Sequence, residues 1–326
     1  MTQFITQEAL TSWLDGLLKE RTLIAPKAVA DEVFYKPVAS TAEIVWQYER
    51  PKMSAKEYMW PATEVIASVN TLAPSVTAPV LEREQVLFGL RPCDARGIKA
   101  LDAIMLAEPA DALYADKRAK TVLVGLSCPR MFLGCFCTSL QSSPDDARDL
   151  DVMLTAMDGG FAVQAVTDKG RALLASAGLE ERHVEVPQPV AEAPVTPVLP
   201  VQEWAARFND PYWARISERC ISCRVCTFVC PTCRCFDVRD TTEADRTVNR
   251  LRSWDACQLE AFCRIAGGHN PRPTKQQRLR QRFYCKFSYV PQDFGPVACV
   301  GCGRCVVECP VNIDIREMLS DIQKGA

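Results

Sequence analysis

Cys220-Ile-Ser-Cys223-Arg-Val-Cys226-Thr-Phe-Val-Cys230-Pro231 is the stretch on which the fold turns. It has a twin near the end of the chain, Cys299-Val-Gly-Cys302-Gly-Arg-Cys305-Val-Val-Glu-Cys309-Pro310. Both follow C-x2-C-x2-C-x3-C-P, a run that ligates [4Fe-4S] clusters. A cuboidal cluster presents four iron corners, each needing one thiolate, and three cysteines spaced by two residues let a tight loop reach three of them. The fourth is held off by a longer step and ligates the other cluster. One cluster is therefore expected on Cys220, Cys223, Cys226 and Cys309, and its neighbour on Cys299, Cys302, Cys305 and Cys230. Gly301 and Gly303 have no Cβ, so their N–H groups are free to approach cluster sulfur.

Structural zinc is the plain alternative. Zinc sites show C-x2-C pairs separated by a spacer, and a third Cys three residues on, with a fourth before Pro, does not fit that pairing. Composition agrees with a globular protein: 326 residues, 48% hydrophobic, 24% charged, net charge −2. Such a length suits two domains with real cores, and so small a net charge exerts no global pull toward nucleic acid or membrane. Seventeen cysteines read as metal binding in a reducing compartment rather than a disulfide framework. Met1 to Glu20 has no basic n-region and no apolar h-region, and no apolar run approaches 18 residues. A cytoplasmic chain with no membrane span is expected.

Working outward toward the N-terminus, Leu10, Trp13, Leu14, Leu17 and Leu18 share one helical face. Residues 21–80, punctuated by Pro26, Pro37, Pro51, Pro61, Pro74 and Pro79, read as short strands and loops without a motif. Residues 86–90 and 121–126 read as buried strands, with a helical pattern through Ile98, Leu101, Ile104 and Met105 between them. That is a βαβ unit with parallel strands. Cys93 follows the first strand and Cys128 the second, so both emerge at the sheet edge where such folds bind ligands. Cys135 and Cys137 follow in the next loop. Four thiols then meet, the number a third cluster needs; four separate buried cysteines, or zinc, are the alternatives. Residues 161–166 read as a further strand, followed by a helix through Leu173, Leu174 and Leu179. Pro187, Pro189, Pro194, Pro197 and Pro200 then favour extended chain.

The expected organisation is α+β. Residues 1–186 form an α/β domain with a partly parallel sheet and the extra cluster. Residues 187–200 form a linker, and residues 201–326 a mainly helical ferredoxin-type domain with two [4Fe-4S] clusters. Between the two runs, helical patterns cover Val248–Ile265 and Thr274–Phe287. Cys233, Cys235, Cys257, Cys263 and Cys285 also lie there; the first four offer a fourth metal site, although spare thiols packed near the clusters are the favoured account. Arg264, Arg272, Lys275, Arg278, Arg280, Arg282 and Lys286 form a basic run without an acidic residue. It is read as offsetting cluster charge or docking an acidic partner, against a solvated face or a nucleic-acid patch. No G-x-G-x-x-G, P-loop or acid–base constellation is visible. The two histidines, His183 and His269, read as an exposed residue and a turn residue, and no catalytic site is expected on this chain.

Four stretches carry a resemblance: Cys226-Thr-Phe-Val-Cys-Pro-Thr-Cys-Arg-Cys-Phe-Asp, Trp254-Asp-Ala-Cys, Gly267-Gly-His-Asn-Pro-Arg-Pro-Thr and Cys299-Val-Gly-Cys-Gly-Arg-Cys. The chain resembles the iron–sulfur β subunit of cytosolic nickel–iron sulfhydrogenases and is equally similar to the corresponding iron–sulfur subunit of anaerobic sulfite reductase. Gly89-Leu-Arg-Pro-Cys-Asp and Gly134-Cys-Phe-Cys-Thr-Ser fit the same family. The likeness is good over residues 85–315 and loose before residue 80, and Cys285 departs from it where His is expected. It implies a multi-subunit oxidoreductase in which a flavoprotein subunit handles NAD(P)H and another subunit holds the catalytic metal. This chain would relay electrons between them. The resemblance also supports the cluster at Cys93, Cys128, Cys135 and Cys137. A zinc-stabilised interaction or nucleic-acid-binding protein is the rival from another class.

Overall fold

The computed structural model describes residues 2–70, 75–191 and 195–325; Pro74 and Pro194 fall outside them. Its strands are β1 Thr2–Thr6, β2 Thr22–Val29, β3 Glu32–Pro37, β4 Thr63–Asn70, β5 Ser75–Thr77, β6 Gln85–Leu90, β7 Thr121–Leu126, β8 Val152–Met157, β9 Gly160–Ala165, β10 Glu180–Arg182, β11 Phe236–Thr242 and β12 Thr247–Trp254. Eight make one sheet, in the order β10-β1-β9-β8-β7-β6-β2-β3. The central pairings β2–β6, β6–β7 and β7–β8 are parallel, and those outside them are antiparallel. The fold is α+β with a partly parallel sheet.

Both faces of this sheet are covered, which is why β6 and β7 read as unbroken apolar runs. Val86 and Phe88 of β6 join the core under the helix Gln7–Glu20, with Leu10, Trp13, Leu14 and Leu17. Leu87 and Leu90 point the other way, to Ala95, Ile98, Leu101 and Met105 of the helix Pro92–Met105. Truncating Leu87 to Ala would leave a void costing about 2–5 kcal/mol. The register of β6 on β7 slips between Phe88 and Leu90. Gly89 sits there at φ +71, and a Cβ would lie 2.8 Å from the Tyr48 hydroxyl. The bulge re-aims the chain at the strand end. Pro92 then starts the next helix, as its fixed φ favours, and Cys93 lies in that helix's first turn.

The second sheet, β11-β12-β4-β5, is antiparallel and joins residues from both sides of the proline-rich stretch. Here the structure departs from the expected helix over Val248–Ile265, because residues 247–254 are β12. This segment pairs with β11 on one side and with β4, from far earlier in the chain, on the other. Arg252 is locked between Glu64 and Asp111 and lies 3.8 Å over the Trp60 ring. Long-range pairing has overridden a weak local periodicity. The second expected helix stands at Lys275–Tyr284, capped by Thr274 and Gln277, and runs on as a wider turn through Tyr289.

Val190 and Thr196 fasten the described parts of the proline-rich stretch to the N-terminal loops. Val190 exchanges backbone hydrogen bonds with Pro129 and Met131, each 3.0 Å, and Thr196 N–H donates to Ser139 Oγ at 2.8 Å. A third core gathers Trp204, Trp213, Leu279, Phe283, Tyr284, Phe287, Met318, Leu319 and Ile322, and takes in Phe136 and Leu140 from the loop after Cys135. That shared core brings the N-terminal cysteine loop against the C-terminal helices.

Candidate iron–sulfur centres

The structure gathers the twelve predicted ligands around three cavities. Cys93, Cys128, Cys135 and Cys137 line one. Cys299, Cys302, Cys305 and Cys230 line a second. Cys220, Cys223, Cys226 and Cys309 line a third. In the last two, the fourth Cys of each run crosses to the opposite loop. Cys302 also borders the first cavity, and Cys305 also borders the third, so the three spaces follow one another with a single cysteine at each step.

Strand geometry supplies the first cavity. β6 and β7 are parallel, so Cys93 and Cys128 emerge at one edge, and the Gly134–Cys137 loop folds over them. Gly301, at φ +64, packs so closely on this loop that a Cβ would come within 2.6 Å of the Cys137 backbone. At Gly303, φ +73, a Cβ would lie 2.4 Å from the Gly134 carbonyl carbon. These two glycines thus let one cysteine loop lie backbone to backbone on the other, a reason the sequence alone does not disclose. The Phe136 N–H donates to Gly301 O at 2.8 Å. Beneath the contact, Arg304 and Asp94, each 1% exposed, form an ion pair at 2.9 Å. It ties the helix of Cys93 to the loop of Cys302 and Cys305, and the Tyr35 hydroxyl donates to Asp94 at 3.0 Å.

Positive charge surrounds the thiols. Lys286 is buried, and its Nζ donates to Cys230 Sγ at 3.1 Å, to Thr232 Oγ1 at 2.9 Å and to Ala298 O at 2.9 Å. Burial opposes its charge, but the sulfurs of Cys230 and Cys233 more than offset this and hold it protonated. Arg282 lies between the second and third cavities. Its Nη2 donates to Cys226 O at 2.9 Å, while its buried Nη1 has no hydrogen-bond partner among the described residues. An orphaned cationic donor facing thiols is costly and is what an anionic occupant would satisfy. Arg50 Nη1 donates to Cys135 Sγ at 3.2 Å and also to Cys302 O. Of the basic run, Arg282 and Lys286 thus face the sulfurs, and Arg278 turns to the Arg272 and Pro273 carbonyls. Sequence reasoning misses Arg50 and Arg304. Arg304 stands inside the second run and its position is a signal, whereas Arg50 sits in a stretch without one.

Burial pushes the bare thiols upward: Cys128 to about 12, Cys137 to about 11, Cys299 to about 11 and Cys305 to about 12. Cys230 moves the opposite way, held low by a hydrogen bond from Cys233, against its burial, and by the charge of Lys286. Such a set accepts cationic iron while releasing protons. Among the described residues, no three Cys, His, Asp or Glu side chains converge on the position of a single metal ion. Thiols that line shared spaces without converging on one ion position, with the fourth Cys of each run crossing to the other loop, suit a polyatomic cluster better than mononuclear zinc.

Fold and site together define an iron–sulfur protein of the dicluster kind. Residues 219–313 match the 4Fe-4S dicluster domain family. The chain is 30% identical over 311 residues to "Sulfhydrogenase 2 subunit beta" of Pyrococcus furiosus, covering 89% of each chain. It belongs to the sulfhydrogenase β-subunit family. No solved structure matches it.

Proposed function

We propose that this chain is the iron–sulfur electron-transfer subunit of a multi-subunit, hydrogenase-type oxidoreductase. In this reading it carries electrons between a flavin subunit that handles NAD(P)H and a catalytic subunit. Three sets of ligands hold three [4Fe-4S] clusters: Cys93, Cys128, Cys135 and Cys137; Cys299, Cys302, Cys305 and Cys230; and Cys220, Cys223, Cys226 and Cys309. Clusters so held would supply one-electron transfer. The observation that carries the reading is the sharing of walls, with Cys302 between the first and second cavities and Cys305 between the second and third. The chain's own part is to hold, insulate and charge-compensate, and no acid–base or nucleophilic constellation is needed.

Its two ends are the places for partners. Cys223 is exposed at one end, beside Ile221, which is 58% exposed. At the other, Leu133 projects at 76% exposure two residues from Cys135. Among the described residues no helix is long and apolar enough to cross a membrane, and the many free thiols fit a cytoplasmic setting.

The test is metal and sulfide analysis of oxygen-free protein. About 12 iron atoms per chain are expected from three four-iron clusters. About 8 would remove the N-terminal one, and zinc without iron would end the reading. Cys135→Ser should lose about 4 iron atoms and one paramagnetic signal on reduction.

A further inference from the structure

The three cavities leave Cys233, Cys235, Cys257, Cys263 and Cys285 unused. These thiols are not scattered. The Cys233 thiol is close enough to Cys230, and the Cys235 thiol to Cys257, for each to shift the other's titration. The backbone explains the second contact. β11 and β12 pair Phe236 with Trp254, and one step further the Asp255 N–H donates to Cys235 O at 2.9 Å. The chain after Asp255 then carries Cys257 beside Cys235. Gln258, anchored on Arg278 O at 2.8 Å, sets its Nε2 3.8 Å from Cys257 Sγ. Lys56, buried against the Trp254 ring at 4.0 Å, binds Cys233 O at 2.9 Å. Cys263 directs its S–H to the Cys257 carbonyl at 3.7 Å, and Cys285 faces Arg234, so neither joins the pair.

We propose that Cys235 and Cys257 form a dithiol–disulfide couple that exchanges electrons with the middle cavity through Cys233 and Cys230. This rests on the reading that the middle cavity holds a cluster. The pair is polarised for such chemistry. Cys235 is half-buried next to the exposed Phe236, whereas Cys257 is buried. The hydrogen bond from Cys257 brings the Cys235 thiol down to about 6 against its burial, and the shared proton and burial hold Cys257 well above its ordinary range. Cys235 is the attacking thiolate and Cys257 the resolving thiol. With a peroxide as oxidant, the Cys235 thiolate breaks the O–O bond, becoming a sulfenic acid and, with one proton, releasing water. Cys257 then displaces the second oxygen as water and closes the S–S bond. In the reverse direction, a cluster held at Cys230 would supply two electrons singly, and with one proton the bond would open to return the Cys235 thiolate and the Cys257 thiol.

The test uses the full chain, purified without oxygen and with its iron in place. It is treated with one equivalent of hydrogen peroxide, quenched with iodoacetamide in denaturant and peptide-mapped. A Cys235–Cys257 linked peptide is expected. Reduced methyl viologen should abolish it, with two more electrons taken up per chain than by untreated protein. In Cys235→Ser and Cys257→Ser those two extra electrons should vanish while iron stays at the wild-type level, and Cys263→Ser should behave as wild type. Recovery of both cysteines alkylated after peroxide overturns the proposal. So does loss of iron in the two variants, which would make them ligands, or equally fast viologen reduction of the bond after iron is stripped. A chain that purifies without iron yet still forms the bond supports the couple and overturns the cluster reading, so the two failures are told apart.

Discussion

Replacing Lys286 with Met should lower the reduction potential of the middle centre by about 120 mV. The figure follows from the geometry. The ammonium lies 3.1 Å from Cys230 Sγ and is buried, so solvent screens it little. Taking about 6 Å from the charge to the middle of a cluster on that sulfur, and an effective dielectric constant of about 20, the attraction for one added electron is about 2.8 kcal/mol. At about 2.3 kcal/mol per 100 mV this gives the shift. The sign is fixed, because a cation favours the more negative, reduced state and its removal makes reduction harder. Met roughly preserves volume, and the Thr232 hydroxyl keeps its bond to Ala298 O, but the hydrogen bonds from the Lys286 ammonium to both are lost, so a stability loss of about 1.5–3 kcal/mol accompanies the change. Lys286→Arg, keeping the charge, should return most of the potential. The assay is a redox titration followed by electron paramagnetic resonance, with iron counted in each sample. A shift under about 30 mV, roughly a quarter of the Coulomb estimate, with iron unchanged, would refute the reasoning.

Three further outcomes follow from the same geometry. Asp94→Asn leaves the buried Arg304 charge unpaired and should cost about 3–5 kcal/mol in anaerobic denaturant unfolding; a loss under about 1 kcal/mol would put the pair in solvent-like surroundings. Gly301→Ala forces a left-handed backbone on Ala and drives its Cβ against Cys137. It should therefore displace the Cys135–Cys137 loop and remove about 4 iron atoms, and full iron content would count against the packing described. Reconstitution of the iron-free chain should speed up steadily from pH 7 to pH 9. Cys128, Cys137 and Cys305 are held protonated by burial, and ligation requires the thiolate, so higher pH removes part of the cost. Iron uptake that is flat with pH, with no proton release in weakly buffered solution, would contradict this.

The cysteine spacing makes most of the site legible. Two identical runs specify which sulfur crosses to which loop, and the cavities contain those sets. The βαβ unit is legible for a different reason: β6 and β7 are covered on both faces, and continuous apolar runs survive in sequence as such. What cannot be read depends on distant partners. Thr247–Trp254 has no strong periodicity of its own and becomes a strand because β4 and β11 flank it. Arg50 stands 85 residues before the sulfur it contacts, in a stretch of loops with no repeating pattern. Gly301 and Gly303 stand out in the sequence for their approach to cluster sulfur; the close neighbour they accommodate is the Gly134–Cys137 backbone. The basic run reads as a unit in sequence, whereas burial divides it, with Arg282 and Lys286 facing sulfur and Arg264 paired with Glu260 at the surface.

The four-stranded sheet has a consequence for how the molecule is made. β4 is synthesised long before β12, the strand that pairs with it along nearly its whole length. Until the ribosome has released that later strand, the earlier one has an open edge, Glu64 lacks Arg252, and Cys135 and Cys137 lack the glycine loop that presses on them. Any metal taken up by the N-terminal thiols would therefore meet the closed site only once residues 299–305 have emerged, and a nascent chain would present those thiols to oxygen and stray metal.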